Sequence, residues 1–247
     1  VAIAMFLILI GAISKSALVP FHFWLPGAMA APTPVSAYLH AAAMVKAGIF
    51  LILRFAPSFH NMPGWVPVLV TVGIGTMLIG AWQALREFDL KLVLAYGTVS
   101  QLGFLTAVSA FGTRGVTVAA LAMLVSHALF KSTLFLTVGI IDHAVGTRDL
   151  RKLSGYGKRD PWLAGVGILA AASMAGVPPL YGFVAKEAVI ETILTTQSKA
   201  GYIALAGIFL GSVMTVGYAW RFVYGAFATK ENVEPVSGHS TSNLLMV

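Results

Sequence analysis

Residues 162–194 form one apolar stretch, Trp162 to Leu194, that cannot be one helix. A membrane crossing needs about 20 residues, and the centre of this stretch carries Val177-Pro178-Pro179-Leu180-Tyr181-Gly182. Two adjacent prolines remove two backbone donors and clash with the turn before them, so a helix here stops and restarts. Backbone freed inside hydrocarbon is tolerated only where protein or a water-filled cavity answers it. Lys186 and Glu187 follow directly after the break. A charge at that depth reads by default as a point on an ion or proton path.

The remainder of the chain has the same character. Hydrophobic residues make up 58% of the 247 and charged ones 10%, against about a quarter charged in soluble domains. Seven apolar segments follow one another: Val1 to about Ala17 and on through Leu18–Pro26, Pro34–Arg54, Val66–Leu85, Lys91–Ala110, Val116–Ile141, the broken stretch, and Tyr202–Phe227. Pro20 and Pro26 make the first a second interrupted helix, with Lys15 at the interruption. No segment alternates with period two, which argues against a membrane barrel. The expected fold is all-α: a polytopic membrane helix bundle of about seven spans, two of them broken. With no cysteine, disulfides, thiolate zinc and iron–sulfur clusters are excluded. The apolar start at Val1 lacks a basic leader and a cleavage site, so it reads as part of a longer chain rather than as a signal peptide.

The net charge of +7 suits a membrane face better than a nucleic acid. With alternating crossings, nine basic residues (Arg86, Lys91, Arg148, Arg151, Lys152, Lys158, Arg159, Arg221, Lys230) fall on one side and three (Arg54, Arg114, Lys199) on the other. By the positive-inside rule the 142–160 loop is cytoplasmic in a cell membrane, where its charges meet anionic lipid.

Four lysines, Lys15, Lys46, Lys131 and Lys186, remain inside expected spans, with His40 and His127. A lysine at a helix centre costs about 2.5–3.5 kcal/mol, so four together cost on the order of 10 kcal/mol. Lys15 and Lys186 lie beside breaks, while Lys46 and Lys131 read as mid-span, so snorkelling to the headgroups does not account for the set. His127 and Lys131, four apart, share a helix face, and Asp142 lies about 20° off that face at the helix end. His40 and Lys46, six apart, point about 120° apart on one helix. A desolvated amine exchanges its proton near working pH, and histidine begins there.

Each of these residues also has a plainer reading. A lone intramembrane lysine is as readily a structural partner of a carboxylate, and His127 alone reads as a packing histidine. Glu187 either tunes Lys186 or caps the restarted half-helix, whose N-terminus favours an anion. Trp24, Trp65, Trp162 and Trp220 read as interface anchors. Gly73-x-Gly75 and Gly207-x-x-x-Gly211 read as close helix contacts. No histidine and carboxylate group has metal-ligand spacing, and no nucleotide, flavin, haem or quinone site is visible, so no cofactor is expected.

The same residues carry a wider pattern. Lys15-Ser-Ala-Leu-Val-Pro-Phe-His-Phe-Trp-Leu-Pro-Gly, running on to His40, resembles the signature of the antiporter-like membrane subunits shared by respiratory complex I and the Mrp cation/proton antiporters. Asp89-Leu-Lys-Leu-Val-Leu-Ala-Tyr-Gly-Thr-Val-Ser-Gln101, His127-Ala-Leu-Phe-Lys131 and Gly182-Phe-Val-Ala-Lys186-Glu187 continue it in order. Met44-Val-Lys46-Ala-Gly and the run from Gly139 to Leu153 resemble the large A subunit of the Mrp antiporter. Gly97 departs from the family's usual serine, and Ala43 from its threonine.

The resemblance implies a fourteen-helix core of two inverted five-helix repeats. Residues 1–230 are then membrane domain, 1–55 ending the first repeat and 65–230 forming the second, with 231–247 a polar tail. The glutamate partner of Lys15 would precede Val1. It further implies a proton path over Lys15, His40, Lys46, His127, Lys131 and Lys186, with Asp142 and Glu187 supporting. The implied activity is exchange of sodium or another monovalent cation for protons, within a hetero-oligomer of other membrane subunits in the lipid bilayer. The alternatives are a proton-pumping subunit of a redox-driven NADH:quinone oxidoreductase and a non-conducting membrane anchor.

Overall fold

Four helix starts are written into the sequence as caps. Asp89, Thr113, Asp160 and Ser198 each accept a hydrogen bond from a backbone N–H in the turn that follows, the role of a short polar side chain at an N-cap. The computed structural model describes residues 2–231 and 233–235, the side chains of 2 and 40–42 excepted. In chain order the helices are α1 (Ala2–Lys15), α2 (Trp24–Gly27), α3 (Thr33–Ser36), α4 (Lys46–Phe59), α5 (Trp65–Arg86), α6 (Leu90–Ser109), α7 (Arg114–Val145), α8 (Tyr156–Arg159), α9 (Pro161–Ala175), α10 (Tyr181–Leu194) and α11 (Lys199–Phe227). A 3-10 turn (Ala28–Ala30) follows α2, and a π-helical run (Ala37–Ala42) continues α3. The chain is an all-helical membrane bundle.

Among the described residues, four helices are long and apolar enough to cross a membrane unaided: α5, α6, α7 and α11. Each of the other three expected crossings is split. The stretch that begins with α1 breaks after Lys15, and the 162–194 stretch breaks at residues 176–180. The stretch expected as one helix over Pro34–Arg54 is also interrupted, at residues 43–45. No proline or glycine stands at that third break. It is a change of hydrogen-bond register, with the N–H groups of Ala43 and Met44 donating five residues back to Tyr38 and Leu39. Lys46 therefore begins a helix instead of sitting mid-span, and the angle expected between it and His40 on one helix does not apply.

α6 is the axis of the bundle. In its membrane-length window 89% of residues are buried, against 33–50% in the other three long helices. Its contact with α5 is backbone on backbone: a Cβ at Gly103 would lie 2.4 Å from Met77 N, and one at Gly73 2.5 Å from Ala107 N. Such approach needs small residues. Gly207 and Gly211 of α11 instead make room for side chains of α5, those of Ile74 and Met77. Trp65 departs from its expected place as an interface anchor. It follows the left-handed Gly64 (φ +93°), is 1% exposed, and donates from Nε1 to Ala110 O at 3.0 Å. Trp162 and Trp220 remain exposed.

The 176–180 break is tightly specified. Val177 N donates to Ala172 O and Gly176 N to Ser173 O, with Gly176 at φ +87°, so α9 ends in a glycine cap that satisfies its last carbonyls. α9 and α10 have 15 and 14 residues, each about 21–23 Å at 1.5 Å per residue and short of a hydrocarbon core of about 30 Å. Gly182 N donates to Ser173 Oγ at 3.2 Å, and a Cβ at Gly182 would lie 1.9 Å from Ser173 O. Backbone cannot yield as a side chain can. Gly182→Ala should therefore lower stability by about 1–3 kcal/mol, seen as an earlier thermal unfolding midpoint of the purified full-length protein. Gly11→Ala, where nothing lies within 4 Å of the added carbon, should leave the midpoint unchanged.

Candidate functional site

The three breaks free backbone groups in an apolar bundle, and specific side chains answer them. Val19 N donates to Thr76 Oγ1 of α5 at 3.0 Å. Ser16 Oγ donates to Val45 O at 2.8 Å, which staples the break beside Lys15 to the break beside Lys46. Lys91 Nζ donates to Ala31 O at 2.5 Å. Local chemistry thus places amines and hydroxyls wherever the helices stop.

Lys46, His127 and Lys131 come together. Lys46 is 4% exposed, and His127 and Lys131, one turn apart on α7, are at 0%. His127 lies within electrostatic reach of both lysines, Lys46 from α4 and Lys131 from its own helix. Lys131 Nζ donates to Leu94 O of α6 at 2.9 Å, a carbonyl that also accepts from Thr98 Oγ1. The His127 ring packs edge-on to Phe130, centroids 5.4 Å apart. Neither of its nitrogens has a protein hydrogen-bond partner among the described residues, and Ser126 Oγ beside it has none. Buried polar atoms are almost always satisfied, and a polar pocket is where water is held.

Lys15 and Lys186 are held elsewhere. Lys186, part-buried on α10, reaches back over the break and donates from Nζ to Ala175 O at 3.3 Å. That carbonyl is in the last turn of α9, the end of a helix that favours a cation. Lys15 is exposed in the last turn of α1. His40 belongs to the π-helical run, and its side chain lies outside the described residues.

The two supporting carboxylates differ from expectation. Glu187 is the seventh residue of α10, whose first turn holds no acidic residue, so it cannot cap the half-helix. Its side chain is exposed. Asp142 accepts from Arg148 Nη1 at 3.4 Å, and Arg148 Nε donates to Asp89 at 3.1 Å. Asp142 therefore belongs to a cluster at one end of the bundle. There the charges close round the 87–91 turn: the guanidinium carbons of Arg151 and Arg221 lie 4.6 and 4.7 Å from the Phe88 centroid, a cation–π pairing on one ring. The Arg151 hydrogen bonds hold the Asp149 carboxyl down at about 2. Its contribution to the loop is present above the usual aspartate range near 3.9 and fades only as pH falls towards 2.

The charge pattern of the sequence puts Lys91 among the surface cations, yet it is 1% exposed. It stands within electrostatic reach of Arg148, Asp142 and Asp89, with its amine on Ala31 O. Its neighbours Leu90 and Leu92 are the available sign, outweighed in the sequence by its place one residue inside a helix. Tyr218 of α11 also joins the site without a sequence signal. It is 1% exposed, with its ring centroid 5.9 Å from Lys131 Nζ.

Comparison with known proteins gives a consistent picture. The family model described as NADH:quinone oxidoreductase/Mrp antiporter, TM matches residues 1–215. A Rhizobium meliloti (strain 1021) protein, named as a probable K(+)/H(+) antiporter subunit of A/B type, is 47% identical over 228 residues, 90% of this chain and 22% of that protein. A chain in the structure of the Mrp complex from Dietzia sp. DQ12-45-1b is 47% identical and superposes with a TM-score of 0.84, covering 92% of this chain and 25% of that one. A chain of the membrane-bound sulfane sulfur reductase, an archaeal respiratory membrane complex, shares the fold at 24% identity and a TM-score of 0.83, covering 96% and 49%. The chain thus spans about a quarter of the length of the two relatives at 47% identity.

The end cluster generates a salt-dependent prediction. Arg148→Ala removes the guanidinium that pairs with both Asp89 and Asp142 and leaves Lys91 as the cation within their electrostatic reach. Both pairs are about one-third exposed, so the loss should be about 1 kcal/mol. Thermal unfolding of the full-length protein should show the difference at low salt and a smaller one at 1 M salt, where screening is short-ranged.

Proposed function

Because this chain belongs to the NADH:quinone oxidoreductase/Mrp antiporter transmembrane family, we propose that it is the proton-conducting part of a monovalent cation/proton antiporter subunit of Mrp type. The observation that carries this reading is the burial of Lys46, His127 and Lys131 in one electrostatically connected group. Protons pass among these three through bound water, and Lys186 at the α9–α10 break takes the next step. Protonating one amine disfavours charge on the next by like-charge repulsion, which drives the proton onward. Residues 1–55 end one repeat and 65–230 form the second, and the 142–160 loop faces the cytoplasm. Partner membrane subunits complete the assembly, and the Lys15 step depends on residues outside 1–247. The resemblance implies sodium or another monovalent cation, and the Rhizobium relative's name specifies potassium.

The test uses the full-length protein, joined to its partner subunits in inverted membrane vesicles. Lys131→Ala and Lys186→Ala should each lower cation-driven proton exchange at least tenfold, in sodium or in potassium, with assembly unchanged. Normal exchange in both variants would make the chain an anchor. Proton movement that follows NADH and quinone instead of a cation gradient would favour the redox-driven alternative.

A further inference from the structure

A lysine that carries charge in the middle of a bundle needs more than one carbonyl, because an ammonium has three donors. Leu94 O takes one. The space beyond it is shaped by Gly97, where a Cβ would lie 2.7 Å from Lys131 Nζ and 3.2 Å from Tyr218 Cε2. The missing side chain leaves Lys131 and Tyr218 facing each other across bare α6 backbone. The Tyr218 hydroxyl is buried close to Thr215 and Ser100 with no aligned hydrogen bond to either. Thr215 Oγ1 is already committed to Gly211 O at 2.8 Å. Gln101, one turn along α6 from Gly97, is 6% exposed and has its Nε2 unpartnered among the described residues. α6 and α11 thus carry buried polar groups of uncommitted hydrogen-bonding capacity, with Tyr218 beside the Lys131 amine and Gln101 one turn on from Gly97.

We propose that Tyr218 is a positioning residue for Lys131, its hydroxyl joining Ser100 and Gln101 to hold the water that solvates the Lys131 ammonium. This rests on the proton-conducting reading above and extends the path to α11. Tyr218 donates to or accepts from that water, and its ring face meets the cation directly, as an aromatic ring does within about 6 Å. Water so held stabilises the charged amine without fixing it, since a neutral hydroxyl cannot trap the proton as a carboxylate would. Among the described residues, the titratable groups around Lys131 are His127 on its own helix, Lys46 beyond His127 on α4, and Tyr218 on α11. α6 presents Leu94 O and Gly97 to Lys131 and Ser100 to Tyr218, with Gln101 one turn on from Gly97.

The experiment is cation-driven proton exchange in vesicles carrying the full antiporter assembly, measured from pH 6 to 9. Tyr218→Phe keeps the ring and removes the hydroxyl. The charged state of Lys131 is the one that loses its solvation, so exchange should fall about three- to tenfold at alkaline pH and recover as the medium is acidified. The profile then moves by roughly one pH unit to the acid side, a change of about 1.4 kcal/mol. An unchanged profile overturns the proposal, and so does an equal loss at every pH, which marks a packing defect. If the phenylalanine variant does not assemble, Ser100→Ala decides on the same terms. Normal exchange in Lys131→Ala would instead sink the conduction reading itself, so the two failures are distinguishable.

Discussion

An apolar bundle whose backbone is broken three times must answer every freed carbonyl and N–H, and this chain does so largely with amines and hydroxyls. Lys91 takes Ala31 O, Lys186 takes Ala175 O and Ser16 takes Val45 O near the breaks, while Lys131 takes Leu94 O within the unbroken α6. The choice of a carbonyl partner has a chemical consequence. A carbonyl accepts from an ammonium and, more weakly, from a neutral amine, so a contact remains when the proton leaves. A carboxylate partner would fix the charge. The contrast stands in the same molecule: Arg148, paired with Asp89 and Asp142 at the bundle end, is a permanent ion.

α6 makes that arrangement geometrically available. It is enclosed along nearly its whole length, and glycines on both helices, Gly73 and Gly80 of α5 and Gly103 of α6, bring the two to backbone contact. Its hydroxyls at Thr98, Thr106 and Ser109 bond back to their own helix four residues earlier, which silences most of its polarity. Gly97, opposite Lys131, is bare, and Gln101 one turn on keeps an amide nitrogen unpartnered among the described residues. An almost fully buried helix thus combines close packing on α5 with a bare backbone position facing Lys131.

Much of this is legible in residue types and spacing. Paired prolines announce the 176–180 break, the caps at Asp89, Thr113, Asp160 and Ser198 are standard helix starts, and His127 with Lys131 is a four-residue spacing. The interruption before Lys46 is not legible, because hydrogen-bond register can slip in a run of alanines without leaving a mark in residue type. Lys91 and Trp65 mislead for a shared reason. Each sits at a helix end, where composition says surface and the path of the chain says interior. Tyr218 is invisible because one tyrosine in an apolar helix looks like any packing ring until its neighbours are known.

The lysines also divide by the kind of helix that holds them. Lys131 is set in the interior of α7, and its partner carbonyl is in the interior of α6, so both sit on rigid, fully bonded backbone. Lys186 binds across a break, to the end of α9 from the start of α10. The attraction between an ammonium and a helix C-terminus exists only while the charge is present. It acts on a joint where a capped end and two prolines leave no continuous hydrogen-bond ladder to resist it. A charge on Lys186 therefore acts between two half-helices, whereas one on Lys131 acts within unbroken backbone.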